Sequence, residues 1–324
     1  MHLYVERVSE GELHWDEGWT WYRVVGDPGS GGFAPLVLLH GGPGAPHDYL
    51  EPLSALTDQT GRACVFYDQL GCGRSQHLPD APQGFWLPEL FCRELDALLA
   101  HLQISDRYHV LGQSWGGMLA MEHALRQPPG LRSLVIANSP ASMRLWIQEA
   151  NRLRRLLPED VQETLTRHED AGTTNSEEYQ QAMMRFYERH LCRIVPFPGE
   201  LQRTFDLLEE DPTVYHTMNG PSEFHVIGTL SNWSIIDRLA AINVPTLLIS
   251  GRHDEATPAT VQPYADEIPG ARWHIFEDSS HLPHVEETAA CLKVVGDFLE
   301  DADERATGRT GKAHASNDFA KEMR

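Results

Sequence analysis

Six short, mainly apolar runs constrain this chain more than any other feature: PLVLLH (35–40), ACVFYD (63–68), YHVLG (108–112), LRSLVIAN (131–138), VPTLLISG (244–251) and ARWHIFE (271–277). A run that is apolar without alternation is what a strand covered on both faces requires. Helix-periodic stretches lie between several of them, notably LPELFCRELDALLAHL (87–102) and MLAMEHAL (118–125). Strands alternating with helices predict an α/β domain built on a mainly parallel sheet. Two more strand-like stretches, HLYVERV and WTWYRVV, fall within residues 1–26, and a polar turn rich in Gly and Glu separates them.

The rhythm breaks at Ser139-Pro140. From 140 to 230 the chain carries Arg, Glu, Leu and Met at helical spacing, then the strand pattern returns and a helix from about 285 to 300 closes it. The expected organisation is an α/β core formed by 1–139 and 231–300, interrupted by a helical cap over 140–230. Residues 301–324 hold few large apolar side chains and are expected to form a disordered tail.

A composition of 41% hydrophobic and 23% charged residues is that of a globular protein, and a net charge of −21 disfavours nucleic acid and anionic membranes as partners. Cys64, Cys72, Cys92, Cys192 and Cys291 are odd in number, widely spaced and without a C-x-x-C pair, which fits a reducing compartment. The polar, acidic N-terminus is no signal peptide, and no run reaches the length of a membrane span. The expected location is the cytoplasm.

GQSWGG (112–117) stands where the run YHVL hands over to a helix. So sharp a turn strains its central residue and needs small neighbours, and it pushes the Ser114 hydroxyl out at the top of the sheet. A serine hydroxyl is a weak nucleophile at neutral pH and needs a base, which in turn needs an orienting carboxylate. After such a serine turn the acid and then the histidine follow along the chain. GRHDE places Asp254 just beyond one strand, and EDSSHLPH places His281 just beyond the next. These loops share the sheet edge at which ligands bind. His284 is the competing base, but it falls where the closing helix begins. A metal held by His253, His281 and His284 is the other alternative, and no H-E-x-x-H or C-x-x-C spacing supports it. The oxyanion hole should pair the amide of the residue after the nucleophile, Trp115, with that of Gly42 in HGGPG (40–44). Neither a metal nor a cofactor is called for by this chemistry.

HGGPG, YDQLGCGRS (67–75), GQSWGG, GRHDE and the late histidine together resemble the proline iminopeptidase family of α/β-hydrolases, over roughly residues 10–300. The chain departs from the family at Ser280, where many relatives have glycine before the histidine. The resemblance implies an α/β-hydrolase fold with a helical lid, and activity on short peptides or amino-acid amides. It also implies that Glu223, in NGPSEF (219–224), and Glu255, directly after Asp254, bind the α-ammonium of the substrate. Trp115, Phe224 and Trp233 are candidate pocket walls.

The leading expectation is a serine hydrolase that releases an N-terminal residue, proline or another small or apolar one. A general esterase or amidase with both glutamates idle is the alternative. An epoxide hydrolase or dehalogenase is disfavoured because those relatives use Asp where Ser114 stands. A silent binding module has no need of all three catalytic groups.

Overall fold

The structure is a computed structural model and describes residues 8–29 and 32–306. Its centre is an eight-stranded sheet: β1 (Val8–Trp15), β2 (Gly18–Val25), β3 (Leu36–Leu39), β4 (Cys64–Tyr67), β5 (Tyr108–Gln113), β6 (Leu131–Ala137), β7 (Thr246–Gly251) and β8 (Arg272–Phe276). The order across the sheet is β1-β2-β4-β3-β5-β6-β7-β8. Strands β3 to β8 run parallel, and the β1–β2 hairpin joins β4 antiparallel. Every residue of β3, β4, β5 and β7 is buried, which is why these strands read as unbroken apolar runs.

The hairpin differs from expectation. The stretch read as a polar turn is mostly β1 itself, and the real turn is Asp16-Glu17. As an edge strand β1 buries only Leu13, so no apolar pattern announces it, and pairing with β2 holds it in place. Residues 2–7 of the first predicted strand lie outside the described residues.

Helices α1 (Ala55–Thr60), α2 (Pro88–His101) and α3 (Trp115–Leu125) connect the first strands. Between β6 and β7 come α4 (Met143–Arg154), α5 (Glu159–Ala171), α6 (Glu177–His190), α7 (Gly199–Glu210) and α8 (Thr213–Met218), with no named strand among them. The periodicity here is real: α6 turns Tyr179, Ala182, Met183, Phe186 and Tyr187 inward, and Ser176 caps it by accepting the Tyr179 amide. This helical segment is fastened to the sheet-bearing part by ion pairs from Arg203 to Asp48 and Glu51 and by His77 to Asp211.

The chain then forms α9 (Pro258–Glu267), α10 (Pro283–Glu286) and α11 (Thr288–Ala306). The closing helix runs past residue 300, because Ala302 is buried and Asp303 pairs with Arg62. The expected disorder of 301–306 is therefore corrected, and 307–324 lie outside the described residues.

Candidate active site

Ser114 sits between the end of β5 and the first residue of α3 with φ +54° and ψ −123°, a conformation disfavoured for any residue bearing a Cβ. The backbone affords it only because its neighbours are bare. A Cβ on Gly112 would strike the Gly116 carbonyl, and one on Gly116 would strike the Leu39 carbonyl. The turn is closed by Ser114 N–H donating to Ala137 O (2.9 Å) and Gly117 N–H donating to Ser114 O (2.9 Å).

His281 and Asp254 meet as the spacing predicts: the loop after β8 brings His281 Nδ1 to 2.7 Å from Asp254 Oδ1. Oδ1 also accepts the Ala256 amide (2.7 Å), and Oδ2 accepts the side-chain amide of Asn138 (2.6 Å). Asn138 follows β6 with φ +52°, and sequence reasoning assigned it no role. His284 is instead buried, with Nε2 donating to Tyr49 O (3.1 Å), and burial depresses its pKa to about 3. A histidine held neutral and committed to a backbone carbonyl is no base. Ser280, the departure from the family pattern, donates from Oγ to Glu286 (2.9 Å), as its amide does (2.8 Å), and so ties the histidine loop to α10.

HGGPG forms the turn after β3, with Gly42 at φ +102° and a cis Gly42–Pro43 bond. Gly42, Ser114 and Trp115 line one cavity with Met118, Pro140, Met143, Trp146, Asn219, Glu223 and Leu230. His40, at the mouth of the turn, accepts the Gln69 amide on Nε2 (2.8 Å), and burial lowers its pKa to about 4. The Gln69 side chain bonds His40 O and accepts the Trp115 indole N–H (2.8 Å), which joins the HGGPG and YDQLGCGRS motifs to the serine turn.

Both glutamates reach this neighbourhood. Glu223 Oε1 accepts from Tyr215 (2.6 Å), and burial pushes its pKa up. Glu255 has no exposed surface, no hydrogen-bond partner for either oxygen, and Oε1 lies 3.8 Å from His281 Nε2. Burial first, then the charges of Glu223 and Asp254, hold its pKa well above the usual carboxylate range. Trp146 on α4 was missed by sequence reasoning. Its indole donates to Glu223 O (2.6 Å), and its ring meets His281 edge-on at 6.0 Å. An apolar side chain at helical spacing looks like any core residue, so no sequence signal marked it. Of the three predicted walls, only Trp115 lines the cavity. Phe224 packs on Phe186 (4.9 Å), and Trp233 bonds Glu122 (2.9 Å).

The proposed histidine trio for a metal does not assemble among the described residues, where the group with metal-ligand spacing is His47, Asp48 and Glu51. Those carboxylates are already taken by Arg74, Arg203 and Arg23, and His47 Nδ1 by Asp68. Such a donor set is a salt-bridge network.

Residues 34–288 match the family described as alpha/beta hydrolase fold. The proline iminopeptidase of Lactobacillus delbrueckii subsp. lactis is 35% identical over 299 residues, which is 92% of this chain and all of that one. The chain belongs to the proline iminopeptidase family of α/β-hydrolases. Among solved structures, the proline iminopeptidase of Mycobacterium smegmatis is 50% identical, with a TM-score of 0.85 over 92% of this chain and 100% of the other. The structure of VinJ is 55% identical, with a TM-score of 0.89 over 91% and 99%. Membership makes this chain a hydrolase of the aminopeptidase kind. No helix among the described residues is long and apolar enough to cross a membrane.

Proposed function

We propose that this chain is a serine aminopeptidase that releases an N-terminal residue, proline or another small apolar one, from short peptides or amino-acid amides. The observation that carries the reading is Glu255: a buried carboxylate with both oxygens unpartnered, beside the base and across from a second carboxylate. Leaving such a group unpaired is costly, and a substrate α-ammonium supplies the missing cation and donors.

In the proposed cycle His281 takes the Ser114 proton as Oγ attacks the carbonyl of the first residue, and Asp254 holds the imidazole by Nδ1. The amides of Gly42 and Trp115 receive the developing oxyanion. His281 returns the proton to the departing amine, and water then releases the acyl group by the reverse roles. Glu223 and Glu255 fix the ammonium, so the enzyme reads a free N-terminus. The apolar walls Met118, Pro140, Met143, Trp146 and Leu230 suit a small apolar side chain. Residues 140–230 serve as a cap over the core of 1–139 and 231–300. Five free, buried cysteines support work in a reducing cytoplasm. The chemistry uses side chains and backbone amides without a cofactor.

The test is a panel of aminoacyl p-nitroanilides, each free and N-acetylated, with Ser114→Ala as control. Cleavage confined to free amines and abolished in Ser114→Ala is expected. Equal cleavage of acetylated substrates would leave a general esterase or amidase.

A further inference from the structure

Tyr49 lies in the turn of helix after HGGPG, fully inside the protein, and no step of the proposed cycle uses it. Its hydroxyl accepts the Gly41 amide (2.7 Å) and donates to Gln113 Oε1 (2.6 Å), and Gln113 Nε2 donates to His281 O (3.1 Å). We propose that Tyr49 is a positioning residue for the reaction: its hydroxyl locks together the turn carrying Gly42, the strand end carrying Ser114 and the loop carrying His281. This rests on the roles given to those three residues above.

The chain of bonds has one direction. A phenol has a single proton, and the Gly41 amide occupies its acceptor side, so the proton goes to Gln113 Oε1. That fixes the Gln113 amide with its nitrogen toward His281 O; a flipped amide would break both ends. Burial raises the phenol pKa far above its ordinary value, so the proton stays. The contacts are close as well as directed. A Cβ on Gly41 would sit 2.9 Å from Gln113 Oε1, 3.0 Å from Ser114 Cβ and 3.0 Å from Tyr49 Oη. The oxyanion turn therefore rests against the serine and the phenol at once. The Tyr49 backbone is anchored from outside: its N–H donates to Thr204 on α7 (3.1 Å), and its carbonyl accepts from His284 on α10 (3.1 Å). Oxyanion donors act only when held at the position the charge will occupy, so a small relaxation of the turn costs rate.

Tyr49→Phe keeps the ring and removes the lock. With concentrations set by active-site titration, kcat is expected to fall about 10- to 100-fold on both prolyl p-nitroanilide and p-nitrophenyl acetate, with KM within about twofold. Phosphonylation of Ser114 by a fluorophosphonate should slow in parallel. Gln113→Met, which cuts the second half of the chain and leaves Gly41 bonded, should show the same kcat pattern and stands in if Tyr49→Phe does not fold. A purely structural tyrosine would lower Tm and leave kcat per titrated site unchanged, and that result overturns the proposal. A loss confined to KM for the amine substrate overturns it too. Ser114→Ala run alongside keeps the two readings apart, because turnover surviving in that variant sinks the serine mechanism whatever Tyr49 does.

Discussion

Glu255 Oε1 and His281 Nε2 stand 3.8 Å apart, and the charges acting on that carboxylate belong to two more acids, Glu223 and Asp254. Burial holds both Glu223 and Glu255 above the usual carboxylate range, and a bound cation would let them ionise. Glu255→Gln and Glu223→Gln should therefore raise KM for free-amine substrates by about 10- to 100-fold, the worth of a charged hydrogen bond. Hydrolysis of p-nitrophenyl acetate should barely change. Equal losses on both substrates would show that the glutamates support the fold or the base.

Asn138 and Asp254 give a second prediction. Asn138→Asp replaces the donor at 2.6 Å from Oδ2 with an acid, at a φ that both residues tolerate. Two carboxyls in such contact share a proton, so Asp254 would lose its fixed amide donor and its hold on the imidazole, and kcat should fall at least tenfold with KM little changed. An unchanged kcat would deny Asn138 any hold on the dyad.

His77 links the loop after β4 to the helical segment, with Nδ1 2.6 Å from Asp211 and Nε2 2.9 Å from Gly73 O. Both partners are acceptors, so both ring nitrogens donate and the ring is an imidazolium. Its pKa is raised by the bonds to Gly73 and Asp211, which outweigh the opposing effect of burial. A raised histidine pKa gives stability that is complete below the unfolded value near ~6.5 and lost as pH rises through the folded one. Protection factors of the α7 and α8 amides, with the intrinsic base-catalysed exchange rate divided out, should fall as pH rises above about 6.5, and Asp211→Asn should flatten that fall. Protection independent of pH in the parent protein would refute it.

Glu94 is buried with Oε2 unpartnered, and burial raises its pKa to about 8. The folded state then holds a proton that the unfolded state releases near ~4.5, so stability falls as pH rises from about 4.5 to 8. Glu94→Gln should remove this slope and stabilise the protein by about 1–3 kcal/mol at pH 9 relative to pH 5. Denaturant midpoints at the two pH values check it, and parallel curves would contradict it.

The parts legible in sequence share a physical property: their signal is local. Buried strands are apolar nearly throughout, and the serine turn must have bare neighbours, so β3 to β7 and that turn could be read from their own residues, whereas the edge strand β8 buries only Phe276 and gives a weaker signal. Asp254 and His281 were found because each follows its own strand. Asn138, Trp146 and Tyr49 escaped because their roles arise from contacts with residues 116, 77 and 64 positions away. Strand β1 escaped because its stability comes from a partner, and its residues show little preference of their own. Glu223 and Glu255 came from family resemblance alone, since a glutamate in a loop looks the same whether solvated or buried.

Glu223 belongs to the helical segment, while Glu255 adjoins Asp254 in the loop after β7. Address and chemistry are thus written in different stretches of the polypeptide. Under the proposed function, exchange of residues 140–230 between relatives would replace one of the two proposed amine contacts together with the cavity walls Pro140, Met143, Trp146, Asn219 and Leu230, and leave Ser114, Asp254 and His281 in place.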